Sequence, residues 1–208
     1  MAVDRKTEPT QYVTEGNRSL GDRFDQALQR ACELHRSQFR KGTEIPYLSH
    51  LLAVASLVLE DGGDEDQAIA ALLHDAVEDR GGRPTLDSIR SEFGDRVASI
   101  VEACSDTDIQ PKPPWRERKE SYLGHLRKEP SAEVLRVSAA DKLHNARCIV
   151  ADYRRCGESV WQRFNAGKEE QAWYYGELAR IYRERGVSDF LSSQITEAAQ
   201  QIARFSRE

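Results

Sequence analysis

The sequence predicts an all-α domain, and three observations carry that expectation. Apolar residues recur at a period near 3.6 in one segment after another. No segment alternates convincingly with a period of two, so no strand is expected. Gly and Pro clusters such as Gly62-Gly63, Gly81-Gly82 and Pro113-Pro114 fall between the periodic segments. Counting those segments gives a helical bundle of roughly eight to ten helices.

Residues 1–19 carry Gly, Pro, Thr and Asn without periodicity and read as a flexible tail, which leaves 20–208 as a single domain. From Asp22, the positions Phe24, Ala27, Leu28, Ala31 and Leu34 form an apolar stripe that predicts a helix ending near Arg40. His35 lies on that inward stripe and reads as a core histidine. Lys41 to Pro46 reads as a loop, and Pro46 is placed to open a second helix with Leu48, Leu51, Leu52, Ala55 and Leu59 inward. Asp61-Gly62-Gly63 ends it. A third helix is expected over about 64–79, apolar almost all round at Ile69 to Leu73 and therefore central. Thr85 is expected to cap a short helix reaching Phe93. Another follows Gly94, with Val97, Ile100, Val101 and Cys104 inward. Residues 106–114 hold three prolines and read as a loop. Further helices are expected over about 115–127, 131–150, 168–185 and 188–205.

Composition narrows the function. With Lys+Arg 30 against Asp+Glu 35 the net charge is −5, which disfavours nonspecific nucleic-acid binding. The longest mostly apolar run, Leu51 to Leu59, is too short to span a bilayer, and Met1 to Gln11 lack the apolar stretch of a secretory signal. Cys32, Cys104, Cys148 and Cys156 form no CxxC pair, so reduced thiols in a cytoplasm are expected rather than a zinc ribbon or a disulfide framework. Tyr47, Trp115, Trp161, Trp173, Tyr174 and Tyr175 read as core or pocket wall, because they do not interleave with basic residues. The oligomeric state stays open.

The most informative segment is Leu72-Leu73-His74-Asp75-Ala76-Val77-Glu78-Asp79. On one continuous helix it would place an imidazole and three carboxylates on a single patch at the end of an otherwise apolar element. Buried carboxylates must be paired, protonated or bound to metal. A His-Asp pair at a helix end is common, and alone it reads equally as structure and as chemistry. His50, in the first turn of the second helix, and Asp141 with Asn145, one turn apart on a later helix, are bland when taken singly. Together, two histidines and two aspartates make a mixed nitrogen and oxygen donor set suited to Mn²⁺, Fe²⁺ or Mg²⁺.

The series His50, His74-Asp75, Asp141 resembles the HD-domain metal-dependent phosphohydrolases. The fuller blocks Arg40-Lys41-Gly42-Thr43-Glu44-Ile45-Pro46-Tyr47-Leu48-Ser49-His50, Ala71 to Asp79, and Ala140-Asp141-Lys142-Leu143-His144-Asn145 are similar to the hydrolase domain of RelA/SpoT enzymes and to stand-alone small alarmone hydrolases. The resemblance implies an HD-type helical bundle holding one Mn²⁺ per chain through His50, His74, Asp75 and Asp141. It implies catalytic roles for Glu78 and Asp79 and substrate binding by Arg40, Lys41 and Asn145. Lys168 falls near a family arginine, although a helix-start lysine reads equally as a solvated charge. His144 reads as cavity wall or as a residue behind the ligands. The implied reaction removes the 3′-pyrophosphate of guanosine tetra- or pentaphosphate, with another nucleotide or the 2′-phosphate of NADPH as the alternative substrate. A catalytically idle nucleotide sensor and a plain helical interaction module are the competing readings. The length leads us to expect no synthetase domain alongside. Glu78 and Asp79 have a structural alternative, pairing with Arg80 or Arg83, and residues 106–119 read either as a flap over the cavity mouth or as a linker.

Overall fold

The structure is a computed structural model that describes residues 19–105 and 113–207. The expected tail, apart from residue 19, and most of the proline-rich segment lie outside the described residues. The helices are α1 (Asp22–His35), α2 (Leu48–Glu60), α3 (Glu65–Leu73), the single turn α4 (Ala76–Asp79), α5 (Arg83–Phe93), α6 (Asp95–Cys104), α7 (Trp115–Lys128), α8 (Ala132–Cys156), α9 (Lys168–Glu184) and α10 (Asp189–Phe205). A 3-10 helix over Gly157–Arg163 joins α8 to α9. Among the described residues there is no strand, only one isolated antiparallel bridge between Phe39 and Pro46.

The long helix α8 organises the bundle. Its Ala139, Ala140, Leu143 and Ala146 are fully buried, and the three small alanines beside Leu143 let α2, α3, α6, α9 and α10 pack around it. Helix α3 is buried from Gln67 to Leu73, as its all-round apolar pattern predicts. The α2–α3 turn is closed by two bonds, from the Gly62 amide to the Leu59 carbonyl at 3.0 Å and from the Gly63 amide to the Val58 carbonyl at 2.8 Å. That is a Schellman stop, with Gly62 at φ +81°. The buried Asp61 carboxylate then accepts from Arg136 Nε of α8 at 2.8 Å and from the Ser188 hydroxyl at the start of α10. One side chain thus ties three helices.

Five expectations need correction. Helix α1 stops at His35, because the chain turns into a closed loop whose Arg40 amide donates to the Ile45 carbonyl and whose Tyr47 amide donates to the Gln38 carbonyl, both at 2.8 Å. Pro46 belongs to that loop, and α2 begins at Leu48. Thr85 does not cap α5: the cap is Gly82, and the Thr85 hydroxyl donates to the Arg80 carbonyl at 2.6 Å. The single helix expected over 64–79 is broken after Leu73. Helix α8 also runs six residues past the expected 150, to a stop at Gly157 with φ +60°.

The turn makes a sharp demand on Gly63. A Cβ there would stand 2.6 Å from Val58 Cγ1 and 2.8 Å from the Val58 carbonyl oxygen, whereas one on Gly124 in α7 would meet nothing within 4 Å. Thermal unfolding should therefore show Gly63→Ala destabilised by about 1–3 kcal/mol. Gly124→Ala, in a helix interior, should be stabilised by up to about 1 kcal/mol.

Candidate active site

The break after Leu73 sets the site. His74 Nδ1 lies 2.8 Å from the Ala71 carbonyl oxygen. In an uninterrupted helix that carbonyl would accept from the Asp75 amide. The imidazole takes it instead, and Asp75 is left at φ −93° and ψ −3° as the residue before the turn α4. The bond also fixes the ring: Nδ1 carries the proton, so Nε2 presents a lone pair. His50 reaches the same point from the first turn of α2, and Asp141 from the middle of α8.

Four donor atoms converge there. His74 Nε2 is 3.0 Å from Asp75 Oδ2 and 3.6 Å from Asp141 Oδ1. His50 Nε2 is 3.2 Å from Asp141 Oδ1 and 3.6 Å from Asp75 Oδ2. Both Nε2 atoms are buried without a hydrogen-bond partner. Donors about 2.0–2.2 Å from a common cation stand roughly 3–3.5 Å from one another, so the observed spacings fit a metal shell. His50, His74 and Asp141 group their ligand atoms within 4.8 Å, and Asp75, less buried, closes the set against both imidazoles.

The electrostatics agree with a cation at the centre. Burial disfavours a charged His74, but the carboxylates of Asp75 and Asp141 outweigh it and hold the imidazolium well above its ordinary range. Burial likewise pushes Asp75 and Asp141 up, yet His74 beside the first and Lys142 beside the second hold both well below the usual carboxylate range. The cluster draws in positive charge, whether a proton or a divalent ion.

A ring of side chains grips these donors from behind. Tyr47 donates its hydroxyl to Asp75 Oδ2 at 2.5 Å. Lys142 Nζ donates to Asp141 Oδ2, and Asn145 Nδ2 to Asp141 Oδ1, both at 2.5 Å. Arg40 in turn donates to Asn145 Oδ1 at 2.9 Å. His144 Nδ1 lies 2.7 Å from His50 Nδ1.

Tyr47, Lys142, His144 and Asn145 also form the inner end of a cavity of about 530 Å³. Its walls carry Arg40, Lys41, Lys119, Lys142, Arg155 and Arg163, with Asp152 the one carboxylate among the lining residues. Trp115, Tyr174 and Tyr175 are wall residues, as read from the sequence, whereas Trp161 and Trp173 are not among the lining residues.

The structure thus brings Arg40, Lys41 and Asn145 to one cavity beside the four donors. Lys168 is elsewhere: its Nζ lies 3.1 Å from Glu158 Oε2, outside the lining. Arg163, held by Asp152 at 2.8 Å, stands in the wall instead. Glu78 and Asp79 sit on α4, one turn past Asp75, and do not line the cavity. Asp79 Oδ2 accepts from Gln38 Nε2 at 2.7 Å, while Arg80 donates to the same amide's oxygen at 2.9 Å and Arg83 pairs with Glu102 at 3.0 Å. The expected alternative pairing of Asp79 with Arg80 or Arg83 is therefore replaced by one with Gln38. Partial desolvation raises the Asp79 carboxyl, the Gln38 bond pulls it down, and the charges of Asp75 and Glu78 add to the rise. Gln38 and Tyr47 carry no sequence signal for these contacts, because each reaches a partner 41 or 28 residues away.

The HD-domain family matches residues 27–171. The chain is similar to the guanosine-3′,5′-bis(diphosphate) 3′-pyrophosphohydrolase MESH1 of Xenopus tropicalis, 39% identical over 139 residues, which are 65% of this chain and 72% of that one. It is similar to the bifunctional (p)ppGpp synthase/hydrolase SpoT of Escherichia coli K12, 35% identical over 132 residues, which are 61% of this chain but only 18% of that longer one. Among solved structures it resembles a metazoan orthologue of SpoT described as hydrolysing ppGpp and acting in starvation responses, with a TM-score of 0.71 and 26% identity, covering 88% of this chain and 97% of the other. The matched residues contain all four converging donors, and the chain belongs to the HD-domain family.

Proposed function

We propose that the protein is a metal-dependent hydrolase that removes the 3′-pyrophosphate of guanosine tetra- or pentaphosphate, giving GDP or GTP and pyrophosphate. The observation that carries this reading is the junction of two features: a donor cluster suited to a divalent cation lies directly behind Tyr47, Lys142, His144 and Asn145, which line a cavity walled by cations in a chain whose net charge is −5. A polyanionic nucleotide is the ligand such a cavity favours. The names of the Xenopus and metazoan relatives support the same substrate.

His50, His74, Asp75 and Asp141 would hold one Mn²⁺, which a mixed imidazole and carboxylate set suits. The cation would polarise a phosphoryl oxygen and ease deprotonation of water. The protein's own groups do the rest. Arg40 and Lys41 grip phosphate, with the planar fork of Arg40 already oriented by Asn145. Arg163 takes the phosphate-binding role that the family resemblance implied for Lys168. Glu78 and Asp79 manage protons: one carboxylate takes a proton from the attacking water and the other, protonated, gives one to the leaving oxygen of the nucleotide. Asp79, whose carboxyl is raised, holds a proton more readily than an ordinary aspartate. Residues 20–208 act as one domain in this reading, supported by a continuous core from Ala27 to Ile202, with 1–19 as a tail. A cytoplasmic setting suits its free thiols.

Incubation with Mn²⁺ and a nucleotide panel should release pyrophosphate from guanosine tetraphosphate and lose that activity to a chelator. Phosphate released from NADPH alone would instead select the alternative substrate. Metal analysis of His74→Ala and Asp141→Ala should show strongly reduced occupancy, and unchanged content in both would remove the ligand assignment. Glu78→Gln and Asp79→Asn should keep the metal and lower kcat by about 10²–10⁴-fold, whereas Arg40→Ala should act mainly on KM.

A further inference from the structure

The two imidazoles of the donor cluster are held in different ways. His74 Nδ1 follows the usual arrangement for a metal-binding histidine, bonded to a backbone carbonyl. His50 is bonded to neither a carbonyl nor a carboxylate through its Nδ1. Its partner is a second imidazole, His144, at 2.7 Å between the two Nδ1 atoms, with ring centroids 4.9 Å apart. A hydrogen bond between two such nitrogens needs one that carries the proton and one that does not. His50 can present Nε2 as a lone pair only when its proton is on Nδ1. His144 Nδ1 must then be the bare acceptor, and the His144 proton must sit on Nε2. His144 lines the cavity, and with its Nδ1 turned to His50 its Nε2 is the nitrogen left to address a ligand there; the Sγ of Cys148, another wall residue, stands 3.7–3.8 Å from both ring nitrogens.

We propose that His144 is a positioning residue that fixes the metal-binding tautomer of His50 by accepting from its Nδ1–H, and in doing so offers its own Nε2–H to the substrate in the cavity. The inference rests on the metal-hydrolase reading given above and goes beyond it by linking one ligand to the cavity wall through a single ring. It also accounts for an imidazole here. A carbonyl or carboxylate would accept from His50 equally well, but neither has a second nitrogen to turn outward as a donor.

Two substitutions separate the halves of the proposal. In His144→Asn the side-chain oxygen stands near the place of Nδ1, so the acceptor is kept and the outward Nε2–H is lost. In His144→Leu both are lost. Mn²⁺ affinity measured by competition with a chelator should fall about 10–100-fold in His144→Leu and stay near wild type in His144→Asn. Both variants should raise KM for guanosine tetraphosphate. ¹⁵N NMR of the metal-free protein should show the His50 proton on Nδ1 in wild type and His144→Asn, and a mixture of tautomers in His144→Leu. Circular dichroism and the melting temperature identify a variant that has merely failed to fold, and in that case the wild-type ¹⁵N spectrum decides alone. Wild-type Mn²⁺ affinity in His144→Leu, or a His50 proton on Nε2 in the wild type, would overturn the proposal. A wild-type protein that binds no Mn²⁺ would instead overturn the hydrolase reading on which it rests.

Discussion

Most of the site depends on one bond, from the ring of His74 to the carbonyl of Ala71. It converts a helix that is buried on every side into a helix that stops inside the core. An uninterrupted α3 would project residues 74 and 75 in different directions, about 100° apart around the axis. The break lets the chain re-aim, so His74 and Asp75 bring Nε2 and Oδ2 to within 3.0 Å of each other. The same bond chooses the tautomer that exposes the lone pair. Local geometry and donor chemistry are thus set by a single side chain competing with the backbone for one acceptor.

Around that point the carboxylates are individually costly. Asp141 is almost entirely buried, and a buried charge requires a partner for each oxygen. Lys142 meets one oxygen and Asn145 the other, with Arg40 steadying Asn145 from across the cavity. Lys142 is itself kept charged, burial notwithstanding, chiefly by Asp141. The loop that follows α1 is thereby tied to the helix α8 through the Arg40–Asn145 contact. Arg40 and Asn145 both line the cavity.

The sequence made the helices legible because each buries a stripe of its own surface, and the 3.6 periodicity records that burial. It made the donors legible because their residue types are rare inside apolar helices. The errors lie where side chains compete with the backbone or where contacts are distant. The third helix read as continuous, since the ring of His74 taking the carbonyl of Ala71 leaves no trace in hydropathy. The polar loop over 36–47 hid the hydrogen bond from the Tyr47 amide to the Gln38 carbonyl and the reach of Gln38 to Asp79. Lys168 fell at a plausible position in the chain, but Glu158 on the 3-10 turn draws it away from the cavity. Nothing local in the sequence places Arg163 at the cavity, because its position depends on the course of that turn, which no local pattern encodes.

The length of α8 has a consequence for how such a site changes over evolutionary time. Asp141, Lys142, His144, Asn145, Cys148, Asp152 and Arg155 all ride on this one uninterrupted helix, so a donor, its supports and the far wall share a single rigid frame. Inserting or deleting one residue between 141 and 155 would rotate everything beyond it by about 100° and shift it by about 1.5 Å, removing the outer wall from the cavity. That stretch can explore new ligands only by exchanging side chains in place. The opposite wall, carried on the loop that holds Arg40 and Lys41, has no such frame and can change in length. Diversification of substrate preference on this scaffold is therefore expected to combine substitutions in α8 with insertions and deletions in the facing loop.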